Sequence, residues 1–300
     1  MSRTDGIINM LKPPGMTSHD AVAFLRRISG VKKVGHTGTL DPMATGVLPL
    51  CMGNGTRVIE YMDGHLKEYR CQVLFGVETD TLDVWGKVLR DDRSEIKLPD
   101  HDRLIHALTS FEGDRLQVPP QFSAIKIRGR PLYSYARRGQ EVYVEPRRIT
   151  IKKCRLVSYD KVEGRAMFDV LCSPGTYMRS LCQELGEVLG TGGTMSFLLR
   201  MGSGPFHIKD AKTVEDLEKE WGKCLLPVDY GLMNLGILRI PSERKKWFCN
   251  GGYLRAFEVK IILEPKLNDK YRVYCHDDFL GTADYSKEKK IYLADKVFNK

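Results

Sequence analysis

The chain has 300 residues, of which 42% are hydrophobic and 28% are charged, and its formal net charge is +9. This balance excludes a largely disordered chain, and the length predicts about two globular domains. No apolar run approaches the roughly 20 residues that a membrane-spanning helix requires, so we expect no membrane span.

Targeting and redox signals are also missing from the sequence. The first apolar stretch is interrupted by Pro13 and Pro14 and is too short for a signal-peptide core, so we expect a cytoplasmic protein. The eight cysteines occur singly, with no Cys-x-x-Cys pair. That spacing predicts reduced thiols and neither a zinc knuckle nor a redox dithiol.

The start of the chain predicts a strand, a helix and an irregular loop. Residues 6–9 read as a strand, and a helix is predicted to begin at Thr17 or Ser18 and to end at Gly30. The glycines and prolines of residues 34–50 predict turns, so we expect a shaped loop there and no regular element.

Periodicity of apolar residues predicts the middle of the chain. A spacing of two indicates half-buried strands, and a spacing of three to four indicates helices. In chain order we predict strands at 68–76 and 83–89, a helix at 102–111, strands at 150–159 and 165–173, and helices at 177–189 and 213–221.

The end of the chain has a different pattern. From about residue 235 it consists of short strands with turns, which is typical of a small all-β unit. We therefore predict one domain over residues 1–234 and a second over residues 235–300. The second region is moderately basic, with fourteen Lys and Arg against nine Asp and Glu from Gly231 to Lys300.

Most of the excess positive charge lies in one segment. Residues 126–155 contain ten Lys and Arg against two Glu, a net charge of +8, interleaved with Tyr133, Tyr135 and Tyr143. Cations neutralise phosphates and aromatic rings stack on bases, so the segment is predicted to grip RNA. The alternative is a solvated basic face with structural tyrosines.

Few catalytic signatures are present. The sequence has no phosphate-binding Gly-x-x-x-x-Gly-Lys loop, no Gly-x-Gly-x-x-Gly, no His-Glu-x-x-His and no Gly-x-Ser-x-Gly, which argues against nucleotide hydrolysis and hydride transfer. What remains is Asp41, inside a glycine-rich loop and followed by Pro42. Such a carboxylate can act as a nucleophile when a cation keeps it ionised, although Asp before Pro is also a common turn former.

A set of ordered motifs spans residues 6–210. They are GHTGTLDPMATGVLPL from Gly35, KPPGMTS from Lys12, KEYR from Lys67, TDTLDVWG from Thr79, PPQFSAIKIRGRPLYSYARRG from Pro119 and PGTYMRSL from Pro174. Together they closely resemble the bacterial tRNA pseudouridine-55 synthase family. The resemblance implies an α+β fold with a mixed, mainly antiparallel central sheet flanked by helices, and a small C-terminal β-rich PUA-like RNA-binding domain.

The resemblance also implies a reaction and its catalytic residues. One uridine in the T loop of tRNA would be isomerised to pseudouridine with no cofactor and no obligate protein partner. Asp41 matches the family's catalytic aspartate, Tyr69 its active-site tyrosine that stacks on the uracil, and Arg179 the arginine that pairs with the aspartate.

Further positions are expected to bind the RNA. His36 matches a histidine that inserts into the T loop, Leu198 an apolar pocket residue, and Asp83 an aspartate near the site, and we add Lys12 of the KPPG motif. The basic segment corresponds to a family insertion, about residues 117–150, that folds over the RNA arm. Its expected RNA contacts are Arg137, Arg138, Arg147 and Arg148.

Two other functions fit the same sequence. One is a non-catalytic RNA-binding or RNA-folding protein, with Gly35 to Gly38 as a Gly-x-x-Gly clamp, although irregular sequence rather than a helix follows that segment. The other is a pseudouridine synthase for a different RNA, including one that depends on a guide RNA.

Overall fold

Two β-sheets organise the chain in the computed structural model, which describes residues 4–265 and 269–298. A nine-stranded sheet lies in the first part of the chain, and a six-stranded sheet follows in the last part. The first thirteen strands are β1 (Gly6–Lys12), β2 (Val34–His36), β3 (Thr45–Met52), β4 (Lys67–Phe75), β5 (Val77–Thr79), β6 (Val88–Asp91), β7 (Gly113–Gln117), β8 (Lys126–Ile127), β9 (Arg130–Pro131), β10 (Arg147–Asp160), β11 (Arg165–Cys172), β12 (Gly193–Ser203) and β13 (Phe206–His207).

The nine-stranded sheet is mixed and mainly antiparallel, which confirms the predicted fold class. Its path runs β1-β3-β12-β4-β11-β10-β7, with β2 beside β3 and β13 beside β12. The pairing of β3 with β12 is parallel, and the other pairings in this sheet are antiparallel. The short strands β5 and β6 pair with each other, as do β8 and β9.

Most of the α-helices in this part of the chain pack against one face of the sheet. The first six are α1 (Ser18–Ser29), α2 (Ile59–Met62), α3 (His101–Thr109), α4 (Leu132–Ala136), α5 (Met178–Leu189) and α6 (Val214–Glu220). The predicted N-cap is confirmed at Thr17, which forms a capping box with Asp20, and Gly30 ends α1 in a left-handed conformation. In the described ranges every helix is too short to span a membrane.

Side chains on the two faces of the sheet enter two separate cores. Ile8 of β1 and Leu48 of β3 pack with α1, α3 and α5, whereas their neighbours Ile7 and Val47 point to the opposite face. That second core also contains Phe279 from the last part of the chain. The two sheets are therefore joined by shared apolar packing.

The last part of the chain is a six-stranded sheet with one helix. Its elements are β14 (Gly236–Arg239), α7 (Ser242–Cys249), β15 (Leu254–Arg255), β16 (Lys260–Leu263), β17 (Lys270–Cys275), β18 (Asp278–Ser286) and β19 (Ile291–Val297). The strand order is β15-β19-β18-β17-β14-β16. The predicted β-rich region is confirmed, and the domain boundary at residue 234 stays a prediction.

The predicted shaped loop at residues 34–50 is wrong in part, because β2 and most of β3 lie there. Gly46 is the cause of the error. A Cβ atom at this position would lie 2.3 Å from the carbonyl oxygen of Arg200 on the parallel neighbour β12, and φ is +118°. The glycine therefore permits close strand pairing and does not mark a turn.

Two other expectations also need correction. The strand predicted at 83–89 is mostly a turn, because the Asp83 carboxylate accepts hydrogen bonds from the Trp85 backbone N–H and the Thr81 hydroxyl, and only Val88 onward forms strand β6. Helix α7 was not predicted, because Phe248 is its one buried side chain and its apolar residues lie together at its end instead of recurring every three to four residues.

Replacing Gly46 by alanine tests the close approach of β3 and β12. We expect Gly46→Ala to lower the free energy of unfolding by about 3 kcal/mol or more, because left-handed strain of roughly 1–2 kcal/mol adds to overpacking of roughly 1–3 kcal/mol. Gly139→Ala is the matched control, since Gly139 also has a positive φ but open space around it. Equal losses in chemical denaturation would contradict the packing argument.

Candidate active site

Asp41 and Arg179 form a two-point ion pair between a loop and the start of α5. Arg179 Nη2 donates to Asp41 Oδ1 at 3.0 Å, and Arg179 Nε lies 2.9 Å from Asp41 Oδ2. The arginine side chain is 5% exposed and the aspartate side chain 32% exposed. The buried guanidinium therefore holds both oxygens of the carboxylate in position, and the carboxylate itself stays accessible.

The same guanidinium connects two further segments of the site. Arg179 Nη1 donates to the Thr81 carbonyl at 3.1 Å, and Nη2 donates to the Phe122 carbonyl at 2.9 Å. Asp83 Oδ2 lies 3.8 Å from Nη1. Burial raises the pKa of Asp83, and the Thr81 hydroxyl and Arg179 oppose that rise. Arg179 thus holds the Asp41 loop, the turn at Thr81 and the segment at Phe122 together.

Lys12 supports the Asp41 loop from behind. The ammonium group is fully buried and donates to the carbonyls of Pro13, Met16 and Pro42 at 2.8, 2.7 and 3.5 Å. Burial, with a smaller contribution from Arg200, lowers the pKa of Lys12 to about 8. Lys12 lines neither cavity described below, so its position suits loop support rather than the direct RNA contact that the sequence predicted.

A first cavity of about 450 Å³ opens beside Asp41. Its floor is formed by Lys67 and Tyr69 of β4 and by Leu198 and Arg200 of β12, all of which are buried. Burial raises the pKa of Tyr69, and Arg200 opposes that rise. The cavity thus combines the accessible carboxylate with an aromatic ring, an aliphatic side chain and two cations.

A second cavity of about 630 Å³ lies on the other side of the same ion pair. His36, Asp83, Trp85 and Arg137 are among its lining residues, and Asp41 and Arg179 line both cavities. His36 is half-buried, and its Nδ1 accepts from the Gly38 N–H at 3.3 Å. Burial, together with Arg200, lowers the pKa of His36, so its ring is neutral at pH 7 and available for stacking.

The basic segment contributes to the second cavity through α4. Arg137 lies over the ring of Tyr133 with its guanidinium carbon 5.3 Å from the ring centroid, and both line the cavity. Arg138, Arg147 and Arg148 are exposed and line neither cavity. Of the four predicted arginine contacts, the structure brings Arg137 to the site and leaves the others on the surface.

Lys67, Arg200 and Trp85 are among the lining residues that were not predicted from the sequence. Lys67 precedes Tyr69 by two positions and Arg200 follows Leu198 by two, so strand alternation puts each on the same face as a predicted site residue. That signal was available from the sequence. Trp85, 60% exposed at the second cavity, gave no comparable signal because the turn that presents it was predicted as a strand.

Metal-ligating side chains do not gather at this site or elsewhere in residues 4–265 and 269–298. No three His, Cys, Asp or Glu side chains in those ranges are arranged to hold a metal ion.

Comparison with known proteins identifies the family. Residues 26–178 match the family described as "TruB family pseudouridylate synthase (N terminal domain)", and residues 179–233 match "tRNA pseudouridylate synthase B C-terminal domain". The chain is 43% identical over 280 residues to tRNA pseudouridine synthase B of Alkaliphilus oremlandii, covering 92% of each protein. It is 46% identical over 284 residues to that of Caldanaerobacter subterraneus, covering 94% of this chain and 96% of the relative.

Solved structures agree on the fold. A chain of the structure titled "Crystal Structure of a Cbf5-Nop10-Gar1 Complex" aligns with a TM-score of 0.77 at 25% identity, over 99% of this chain and 86% of that one. A chain of "Structure of H/ACA RNP bound to a substrate RNA containing 2'-deoxyuridine" gives the same TM-score at 23% identity, over 98% and 85%. From the family match and the relatives, the chain belongs to the TruB family of pseudouridylate synthases.

Proposed function

We propose that this protein isomerises the uridine at position 55 in the T loop of tRNA to pseudouridine, with Asp41 as the nucleophile. The observation that carries the proposal is the two-point ion pair of Asp41 with the buried Arg179, at the wall shared by two cavities. The names of the relatives supply the tRNA substrate.

The reaction breaks the bond from N1 of uracil to C1′ of the ribose, rotates the base and forms a bond from C5 to C1′. C5 loses a proton and N1 gains one, so the product is an isomer of the substrate and no redox step occurs. Asp41 forms a transient bond to the nucleoside, and Arg179 holds its oxygens in position. Tyr69 supplies a flat face for the detached base without using its hydrogen-bonding groups.

Water exclusion is the second requirement of this chemistry, because water would otherwise capture the cleaved sugar. The first cavity is of the size expected for a small-ligand pocket, and Leu198 and Tyr69 give its floor apolar surface. The target base must leave the RNA stack to enter, at a cost of about a few kcal/mol. His36 and Tyr133 are among the aromatic side chains of the second cavity, and they are suited to stack on neighbouring T-loop bases.

The basic residues support an RNA substrate. Arg137 at the cavity and exposed Arg138, Arg147 and Arg148 lie on the segment that carries most of the net charge. Such cations neutralise phosphates and steer a polyanion to the site.

Incubating an unmodified tRNA transcript with the purified protein alone tests the proposed function. We expect pseudouridine to be formed at position 55 and at no other uridine, as mapped by chemical modification and sequencing. Modification that requires an added guide RNA would contradict the proposal, as would tight tRNA binding without any conversion.

The nucleophile is tested by Asp41→Asn. We expect the single-turnover rate to fall by roughly 10⁴-fold or more, since loss of a covalent catalytic group has effects of this order or larger. The dissociation constant for tRNA should stay similar, because the amide keeps the shape of the side chain. Asp277→Asn is the control, since that carboxylate is fully exposed and pairs with Arg239 in the last sheet. A near wild-type rate for Asp41→Asn would exclude the assignment.

The basic segment is tested by neutralising Arg137, Arg138, Arg147 and Arg148 together. We expect weaker tRNA binding and a smaller slope of log Kd against log salt, with the slope changing by roughly one for each lost phosphate contact. Lys161→Ala is the charge control, because the β10–β11 turn lies at the end of the strands away from Tyr69. An unchanged slope in the fourfold variant would leave these arginines as a solvated face.

A further inference from the structure

The floor of the first cavity carries two buried cations that the nucleophile does not use. The side chains of Lys67 and Tyr69 on β4 and of Leu198 and Arg200 on β12 share one face of two adjacent antiparallel strands, with Arg200 paired opposite Tyr69. Lys67 is 6% exposed and Arg200 1% exposed. Asp41 is already engaged by Arg179, so its charge is held at the rim.

Among the ion pairs of the residues that the structure describes, none involves Lys67 or Arg200, so neither cation has a carboxylate partner there. Lys67 Nζ donates to the Ser203 hydroxyl at 2.7 Å. Arg200 donates to the carbonyls of Val47, Gly38 and Thr39 at 2.7, 3.1 and 3.4 Å. Neutral acceptors satisfy part of the hydrogen-bonding capacity but do not cancel the charges.

Burying unpaired charges is unfavourable, and Lys67 shows the effect. Burial, followed by repulsion from Arg200, lowers the pKa of Lys67 to about 8, while exposed Asp63 opposes the shift. At neutral pH the ammonium group is still mainly protonated. The fold thus keeps a positive potential at the closed end of the cavity and leaves donor groups of both side chains for a ligand.

The depth of these cations indicates which part of a nucleotide reaches them. The rim includes the exposed residues Ala124, Pro174 and Gly175, whereas Lys67 and Arg200 lie on the buried floor. An RNA strand continues on both sides of the target nucleotide, so its phosphates must stay near the rim. The base is attached to the strand at one end only, so it is the part of the nucleotide that can reach the floor of the cavity.

We propose that Lys67 and Arg200 form an anion-stabilising subsite that contacts the uracil carbonyl oxygens and stabilises the base when it detaches from the ribose. This inference rests on the proposed function. When the N1–C1′ bond breaks, its electron pair stays on the base, and the negative charge spreads over N1 and the two carbonyl oxygens. The Asp41 carboxylate bonds to C1′ as the base leaves, and this bond breaks when C5 bonds to C1′ and the base gives up its charge. The later loss of the C5 proton and gain of a proton at N1 complete the isomerisation.

The subsite acts on the rate more than on binding. The intact uridine is neutral, so the cations interact with it weakly, whereas they interact strongly with the anionic base and the transition state that leads to it. Interactions that strengthen only in the transition state raise the rate without tightening substrate binding. Lys67 and Arg200 therefore have a role separate from the nucleophile and from the RNA grip.

The experiment compares two RNA hairpins with the T-loop sequence, one with uracil and one with 5-fluorouracil at the target position. Fluorine withdraws electrons, so the detached fluorinated base needs less help from the protein. The measurement is the single-turnover loss of the starting nucleoside for the wild type and for Lys67→Met, which removes the charge and keeps the length of the side chain. Binding of each hairpin is measured in parallel.

We expect Lys67→Met to lower the rate on uracil by about 10²-fold or more, with a much smaller loss on 5-fluorouracil and little change in hairpin affinity. Lys67→Arg should recover much of the rate. Lys12→Met is the matched control, because Lys12 is also buried and its pKa is also lowered to about 8, but it does not line the cavity. Any loss in that variant should be equal on both hairpins.

Equal losses of Lys67→Met on the two hairpins, or a loss confined to affinity, would overturn the proposal. Arg200→Lys keeps a cation at the second position and is measured on the same pair, so the test remains valid if Lys67→Met folds poorly. Failure of the wild type to convert the uracil hairpin would contradict the proposed function itself. That outcome is distinct from equal rate losses on the two hairpins, which would contradict only the subsite.

Discussion

The buried guanidinium of Arg179 is the interaction on which the arrangement of the site depends. One side chain from the first turn of α5 contacts Asp41, the carbonyls of Thr81 and Phe122, and the vicinity of Asp83. These partners come from three segments that are far apart in sequence. Because guanidinium is planar and always charged, it can hold a carboxylate at two points while donating to carbonyls, which a lysine cannot reproduce.

Strand register determines what lies beneath that ion pair. The parallel pairing of β3 with β12 at Gly46 and the antiparallel pairing of β12 with β4 put Arg200 next to both Gly46 and Tyr69. A shift of β12 by one residue would turn Leu198 and Arg200 to the opposite face of the sheet. The close approach at Gly46 and the composition of the cavity floor are therefore consequences of one register.

Much of the fold was predictable because its signals are local. Apolar periodicity gave β4, β10, β11, α3 and α5, and the cap at Thr17 gave the start of α1. The strand β3 was missed because Gly46 and Pro49 are ordinarily turn residues, and only the neighbouring strand explains the glycine. The turn at Asp83 was missed because its carboxylate bonds to Thr81 and Trp85, a local competition that alternation of polarity does not reveal.

The residues of the candidate site were predictable mainly from a family resemblance and less from local patterns. Asp41, Tyr69, Arg179, His36, Leu198 and Asp83 were named through a family resemblance, and the structure brings all six to the two cavities. Their catalytic and binding roles stay predictions. Composition and spacing alone identified only Asp41, as a candidate nucleophile, and the basic segment, as a candidate RNA contact. They could not pair Asp41 with Arg179, because contact across 138 residues is a property of the folded chain.

The two buried lysines of the site, Lys12 and Lys67, lower the stability of the folded chain. The folded state lowers the pKa of Lys12 and of Lys67 from 10.5 to about 8. Between about pH 8 and pH 10.5 the unfolded chain therefore binds more protons than the folded chain. The destabilisation by the two lysines is fully present below about pH 8 and decreases as the pH rises toward 10.5. One pKa unit corresponds to about 1.4 kcal/mol. The destabilisation is therefore of the order of a few kcal/mol, comparable with a large part of the stability of a domain. A core built for stability alone would replace these side chains by apolar ones. Lys67 fits a cavity that must meet negative charge, whereas Lys12 supports the Asp41 loop through the carbonyls of Pro13, Met16 and Pro42.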